Sequence, residues 1–132
     1  MPYQQNRNRV IGTIEERIAV LNCARYVIEA MKNSGHFQGI DLESLSTTVI
    51  GFLREPAPNL LGICSYSKHG TRARTTRPGE NTWRILVKRS LVHDDPEELA
   101  ATIYHEYLHA ILGYDEGHGP TFSAMEALWP LN

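Results

Sequence analysis

Along the 132-residue chain, apolar positions first recur at helical spacing from Ile14 onward, with Ile14, Ile18, Leu21, Ile28 and Met31 on one stripe. Thr13-x-x-Glu16 ahead of the stripe is a capping box, and Asn33-Ser34-Gly35 behind it is a stop, so a helix is predicted between them. Thr47 to Leu53, Leu60 to Tyr66 and Thr82 to Lys88 are rich in β-branched and aromatic residues, are bounded by turn chemistry, and read as strands. Pro56-Ala57-Pro58-Asn59 reads as a tight connection between the first two. A second helical stretch opens at Asp94-Asp95-Pro96-Glu97-Glu98, with Asp95 as N-cap, Pro96 at the first helical position and Glu98 three residues after the cap. Leu99, Ala100, Ala101, Ile103, Leu108, Ala110, Ile111 and Leu112 make this stretch apolar nearly all round, which predicts a buried helix, and Gly113 is placed to end it in a left-handed cap. Pro120 to Leu128 reads as a short closing helix. The expectation is an α+β fold: an N-terminal helix, a three-stranded and mainly antiparallel sheet, and two helices, the first of them flanked by the sheet.

That buried helix carries the chain's sharpest chemical signal. His105-Glu106-Tyr107-Leu108-His109 reads H-E-x-x-H, and residues four apart on a helix share a face, so both imidazoles can reach one metal ion. Glu106, one step round, sits beside the coordination position left open and can act as an acid/base on water there. The plain alternative is a core helix with two hydrogen-bonded histidines. Two uncommitted imidazoles on so apolar a helix would be costly, which favours the metal.

A hydrolytic zinc site takes three protein ligands and keeps the fourth position for water. Eight residues separate His109 from His118, which stands in Gly117-His118-Gly119-Pro120 between glycines that permit close backbone approach. His118 is the expected third ligand. Its rivals are Asp115 and Glu116 in the acidic turn, and Glu126 on the closing helix in the manner of a His-His-Glu site.

Taken together, His105-Glu106-x-x-His109, a helix break, and Gly117-His118-Gly119-Pro120-x-Phe122 resemble the SprT-like zinc metallopeptidases, the family of the Spartan-type protease domains. Leu61-Gly62-Ile63-Cys64-Ser65-Tyr66 is similar to the strand that precedes the active helix in that family. Trp83-Arg84-Ile85-Leu86-Val87, Leu91 and the Asp94 to Glu98 helix start are similar to its next strand and connection. The resemblance runs from about Leu60 to Trp129. It implies a minimal zincin-like endopeptidase with one Zn2+ per chain on His105, His109 and His118, and Glu106 as catalytic acid/base. Spartan-type members cleave proteins crosslinked to DNA and are switched on by DNA, which implies a protein substrate and single-stranded or damaged DNA as a partner. The span from His109 to His118 is shorter than in those members, and the chain carries neither their Cys-rich zinc module nor their partner-binding tail.

Charge changes the picture only through its distribution. The net charge is −2, but residues 66–90 hold seven basic side chains against Glu80 alone, while residues 91–132 hold eight acids and no Lys or Arg. Lys68, Arg72, Arg74 and Arg77 lie in the long loop between the second and third strands, with Ser, Thr and Gly interleaved, a composition suited to phosphate or to an acidic or extended polypeptide. The plain alternative is a solvated hairpin that keeps a sheet edge soluble. A chain of 132 residues that is 42% hydrophobic builds one core, so residues 1–132 are expected to form a single domain, with residues 1–9 a flexible tail. No apolar run near the start suggests a signal peptide, and none approaches a membrane span, so an intracellular protein is expected, cytoplasmic or, in a eukaryote, nuclear.

The remaining candidates are weaker. Tyr66 is the foremost oxyanion donor, ahead of Tyr104, Tyr107 and Tyr114. Asp115, Glu116 and Glu126 are near enough in sequence to accept from the ligands' other ring nitrogens. Cys23 and Cys64 lack metal-type spacing and read as reduced core residues. His36 and His93 fall in predicted turns and read as solvated, and Met125 as core packing. Two other function classes fit the same residues: a zinc-bearing nucleic-acid-binding module without peptidase activity, and a zinc hydrolase of a non-peptide amide. Glu106 argues against the first, because a structural zinc site gains nothing from a neighbouring carboxylate.

Overall fold

The computed structural model describes residues 8–53, 62–66, 83–112 and 119–131; for 62–66 and Trp83 it describes the backbone alone. In chain order the elements are β1 (Arg9–Val10), α1 (Ile14–Ser34), a 3-10 helix (Glu43–Thr47), β2 (Val49–Phe52), β3 (Gly62–Tyr66), β4 (Trp83–Val87), α2 (Arg89–Asp94), α3 (Pro96–Leu112) and α4 (Pro120–Glu126). The α+β class and the expected helices and strands are present. β1, α2 and the 3-10 helix are additional.

The sheet is four-stranded and mixed, in the order β1-β2-β4-β3. β1 runs parallel to β2 and β2 parallel to β4; only β3 and β4 are antiparallel, with Tyr66 opposite Trp83 and Gly62 opposite Val87. The mainly antiparallel expectation is therefore corrected, whereas the expected tight connection through Pro56 to Asn59 falls outside the described residues. β4 lies between β2 and β3 in the sheet. Parallel pairing of β1 with β2 follows from α1, which serves as the crossover between them.

The start of the chain is also more ordered than a tail through residue 9. Asn8 is buried, and its Nδ2 donates to the Leu45 and Thr48 carbonyls at 2.9 Å each, while Arg9 pairs with Val49 in the sheet.

α1 opens as its sequence dictates. Thr13 Oγ1 accepts from Glu16 N at 3.1 Å, Glu16 Oε1 accepts from Thr13 N at 3.0 Å, and Gly35 closes the helix at φ +82°. Its buried stripe is shifted from the expected one. Val20, Ala24, Val27, Ile28 and Met31 face inward, whereas Ile14 and Ile18 are 63% and 55% exposed. The buried position in the first turn belongs instead to Glu16, whose carboxylate meets Arg89 Nε at 2.9 Å, Arg89 Nη2 at 3.2 Å and His93 Nε2 at 2.8 Å. His93 is exposed, as expected, but lies on α2 rather than in a turn and pairs with Glu16. Arg89 also stands 4.4 Å over the Phe52 ring. Gly12, at φ +154°, is required beside this cluster, because a Cβ there would come within 2.8 Å of both Glu16 Oε1 and the Phe52 ring.

One core joins the layers: Ile50, Ile85 and Val87 from the sheet, the inward face of α1, and Leu99, Ile103, Tyr104, Tyr107 and Leu108 from α3. α3 packs on β3, β4, α1 and α4, which makes it the central element. No helix among the described residues is long and apolar enough to cross a membrane.

Candidate metal centre

α3 begins as expected: Asp95 Oδ1 accepts from Glu98 N at 3.1 Å and Asp95 O accepts from Leu99 N at 2.9 Å. The capping box stays half-formed, because the Asp95 N–H is spent on Leu91 O at 3.0 Å and ties α2 directly to α3. From this start the helix keeps a single phase for 17 residues, burying Leu99, Ile103, Tyr107 and Glu106 and leaving His105 and His109 half-buried.

The two histidine rings lie together, with centroids 5.1 Å apart and planes at 74°. Imidazoles bound at about 2.0–2.1 Å to one tetrahedral zinc have centroids about 5 Å apart, so this separation fits a shared ion. Phe122, fully buried on α4, forms the floor beneath both, 4.9 Å from the His105 ring and 4.5 Å from that of His109. Met125 is partly buried and packs against the core, and its carbonyl accepts from Tyr104 Oη at 2.5 Å. The expected core role is the one it fills.

Glu106 is 4% exposed, and its Oε1 is buried without a hydrogen-bond partner. Burial alone pushes its carboxyl up to about 8. A buried carboxylate oxygen with no donor among the described residues is costly, and orphaned groups of this kind concentrate where chemistry is done.

Glu126 Oε2 lies 2.6 Å from His105 Nδ1. The nitrogens of an imidazole point in divergent directions, so this carboxylate stands away from the Nε2 side of the ring. Among the described residues no group of three or more ligating side chains converges. His118, Asp115 and Glu116 lie outside them, as do Gly113, Tyr114 and the basic residues Lys68, Arg72, Arg74 and Arg77; the Tyr66 and Cys64 side chains are likewise not described.

Two tyrosine candidates are committed elsewhere. Burial, with the Glu126 charge adding to it, raises the Tyr104 hydroxyl to about 12, so it remains a donor to Met125 O. Tyr107 Oη reaches Asn8 Oδ1 at 3.5 Å on the core side of α3. Cys23 lies in a groove of about 720 Å3 lined by Tyr26, Pro96, Ala100 and Trp129, away from the histidines, and burial raises its thiol to about 11. Such a thiol is a poor nucleophile, in keeping with its reading as a reduced residue.

Glu126 was one of three acceptors expected for the ring nitrogens, and the structure puts it on His105. The place of Phe122 under both rings is the part of this geometry least visible in the sequence. Comparison with known protein families, with curated proteins and with solved structures finds no match for the chain.

Proposed function

We propose that this chain is a zincin-like, zinc-dependent endopeptidase of SprT-like type, an intracellular enzyme acting on DNA-associated or DNA-crosslinked proteins. The observation that carries the reading is the buried Glu106 carboxyl, whose Oε1 has no hydrogen-bond partner among the described residues, next in sequence to an imidazole pair spaced for one ion. His105 and His109 would hold one Zn2+ together with His118. When bound, zinc supplies a Lewis acid for the scissile carbonyl and makes water acidic enough to react near neutral pH.

The chain's own residues do the rest. Glu106 takes a proton from the attacking water and delivers it to the departing amine nitrogen. Glu106 is itself only 4% exposed, so the proton it carries is held away from bulk water. β3 ends the sheet order and packs on α3, so its outer edge suits an extended peptide adding as a further strand. Tyr66, the last residue of β3, would donate to the developing oxyanion. Lys68, Arg72, Arg74 and Arg77 follow directly in sequence, and DNA phosphates would bind there.

The test is incubation of the zinc-loaded chain with a DNA-binding protein, with and without single-stranded DNA, and with Glu106→Gln as the blank. Cleavage is expected, lower by at least about 100-fold in the blank. Cleavage that needs DNA assigns the basic residues to DNA; DNA-independent cleavage keeps the peptidase and removes that assignment. An undiminished rate in the blank overturns the role of Glu106.

A further inference from the structure

Resting on the zinc reading above, we propose that Glu126 is a positioning residue, which fixes His105 with its proton on Nδ1 and turns the Nε2 lone pair toward the metal. A neutral imidazole has one protonated nitrogen and one with a lone pair, and the hydrogen bond made by one decides what the other can do. Glu126 Oε2 at 2.6 Å from His105 Nδ1 is an acceptor at the position that selects the Nδ1–H form. Its charge also makes the opposite nitrogen a stronger donor to a cation.

The pairing is built into how α4 docks rather than left to a surface rotamer. Tyr104 Oη donates to Met125 O at 2.5 Å, so the residue before His105 is clamped to the residue before Glu126. Trp129 packs on the Tyr104 ring at a centroid distance of 4.7 Å and holds the end of this clamp. One turn back, Phe122 lies against both imidazoles and limits how far either ring can swing. Phe122 and Glu126 thus form an i, i+4 pair on α4 set against His105 and His109 on α3. The Glu126 side chain is 49% exposed, so its substitution leaves the core intact and its effect is read at the metal.

The experiment uses the full chain, stripped with a chelator and titrated with zinc against a chromogenic competitor, as wild type, His105→Ala, Glu126→Ala and Glu126→Gln. Glu126→Ala is expected to weaken zinc binding by about 10–100-fold, and Glu126→Gln by less, because an amide oxygen still accepts from Nδ1–H. In parallel, 15N NMR of the metal-free protein in mildly alkaline buffer is expected to find His105 as the Nδ1–H tautomer in wild type and Glu126→Gln, and as a mixture in Glu126→Ala. Wild-type zinc affinity and an unchanged tautomer in Glu126→Ala overturn the proposal. Loss of zinc in both Glu126 variants as complete as in His105→Ala also overturns it and makes Glu126 a ligand. If the wild-type chain takes up no zinc, the metallopeptidase reading falls and this proposal with it, an outcome distinct from the other two.

Discussion

Phe122 has no polar atom in its side chain, yet it decides how the two histidines sit. It is fully buried, touches both rings, and is held by a helix of only seven residues. Phe122→Ala would leave a cavity under the pair and is expected to cost about 3–5 kcal/mol of stability in the metal-free protein. Denaturant midpoints check this; a loss below about 1 kcal/mol would mean that the floor collapses without consequence. At this scale the sequence was most informative about reactive groups. H-E-x-x-H put the His105 and His109 rings side by side from spacing alone, because helical geometry converts four residues into one face. It could not name Phe122 as the floor, since an apolar residue one turn into a short helix looks the same whether it packs under a ligand or under any other side chain.

Among the elements, α3 was legible at its start and α1 was legible at both ends but not in its phase. Cap chemistry is local: Asp95, Pro96 and Glu98, or Thr13, Glu16 and Gly35, act within a turn, so the residues alone specify them. The inward face of α1 was not local. It turned on Glu16, read only as part of a capping box, pairing across 73 positions with Arg89 and across 77 with His93. This cluster makes α1 and α2 depend on pH. The Thr13 backbone N–H, then His93 and Arg89, hold the Glu16 carboxyl at about 2, below its ordinary 4.5. A depressed carboxyl contributes stability above its unfolded value and loses it as pH falls toward the folded one. Wild type should therefore lose stability between about pH 4.5 and pH 2, and Glu16→Gln, weaker at neutral pH, should lose less and converge with wild type near pH 2. Urea titrations along that range measure it; parallel profiles would remove Glu16 from the account.

For the molecule as a whole, class was legible and topology was not. The strand runs were found because β-branched and aromatic residues mark extended backbone, but a strand's direction leaves no trace in its own composition. β1 is two residues long, too short for any period to register, and its pairing is what places α1 as a crossover and makes the sheet mostly parallel. The placement of β4 beside β2 likewise depends on contacts between residues more than 30 positions apart, such as Ile50 with Ile85. That topology nevertheless sets the site, because it brings β3, the edge strand, and β4 against α3 and leaves the histidines at the end of the helix toward α4. The central claim is that this arrangement hydrolyses peptide bonds through Glu106. Its most direct test is mass spectrometry of a protein substrate digested by the zinc-loaded chain in 18O-labelled water. The account predicts new C-terminal carboxylates that carry the label with wild type and are lower by at least about 100-fold with Glu106→Gln; no labelled termini from wild type, or equal amounts from the variant, would contradict it.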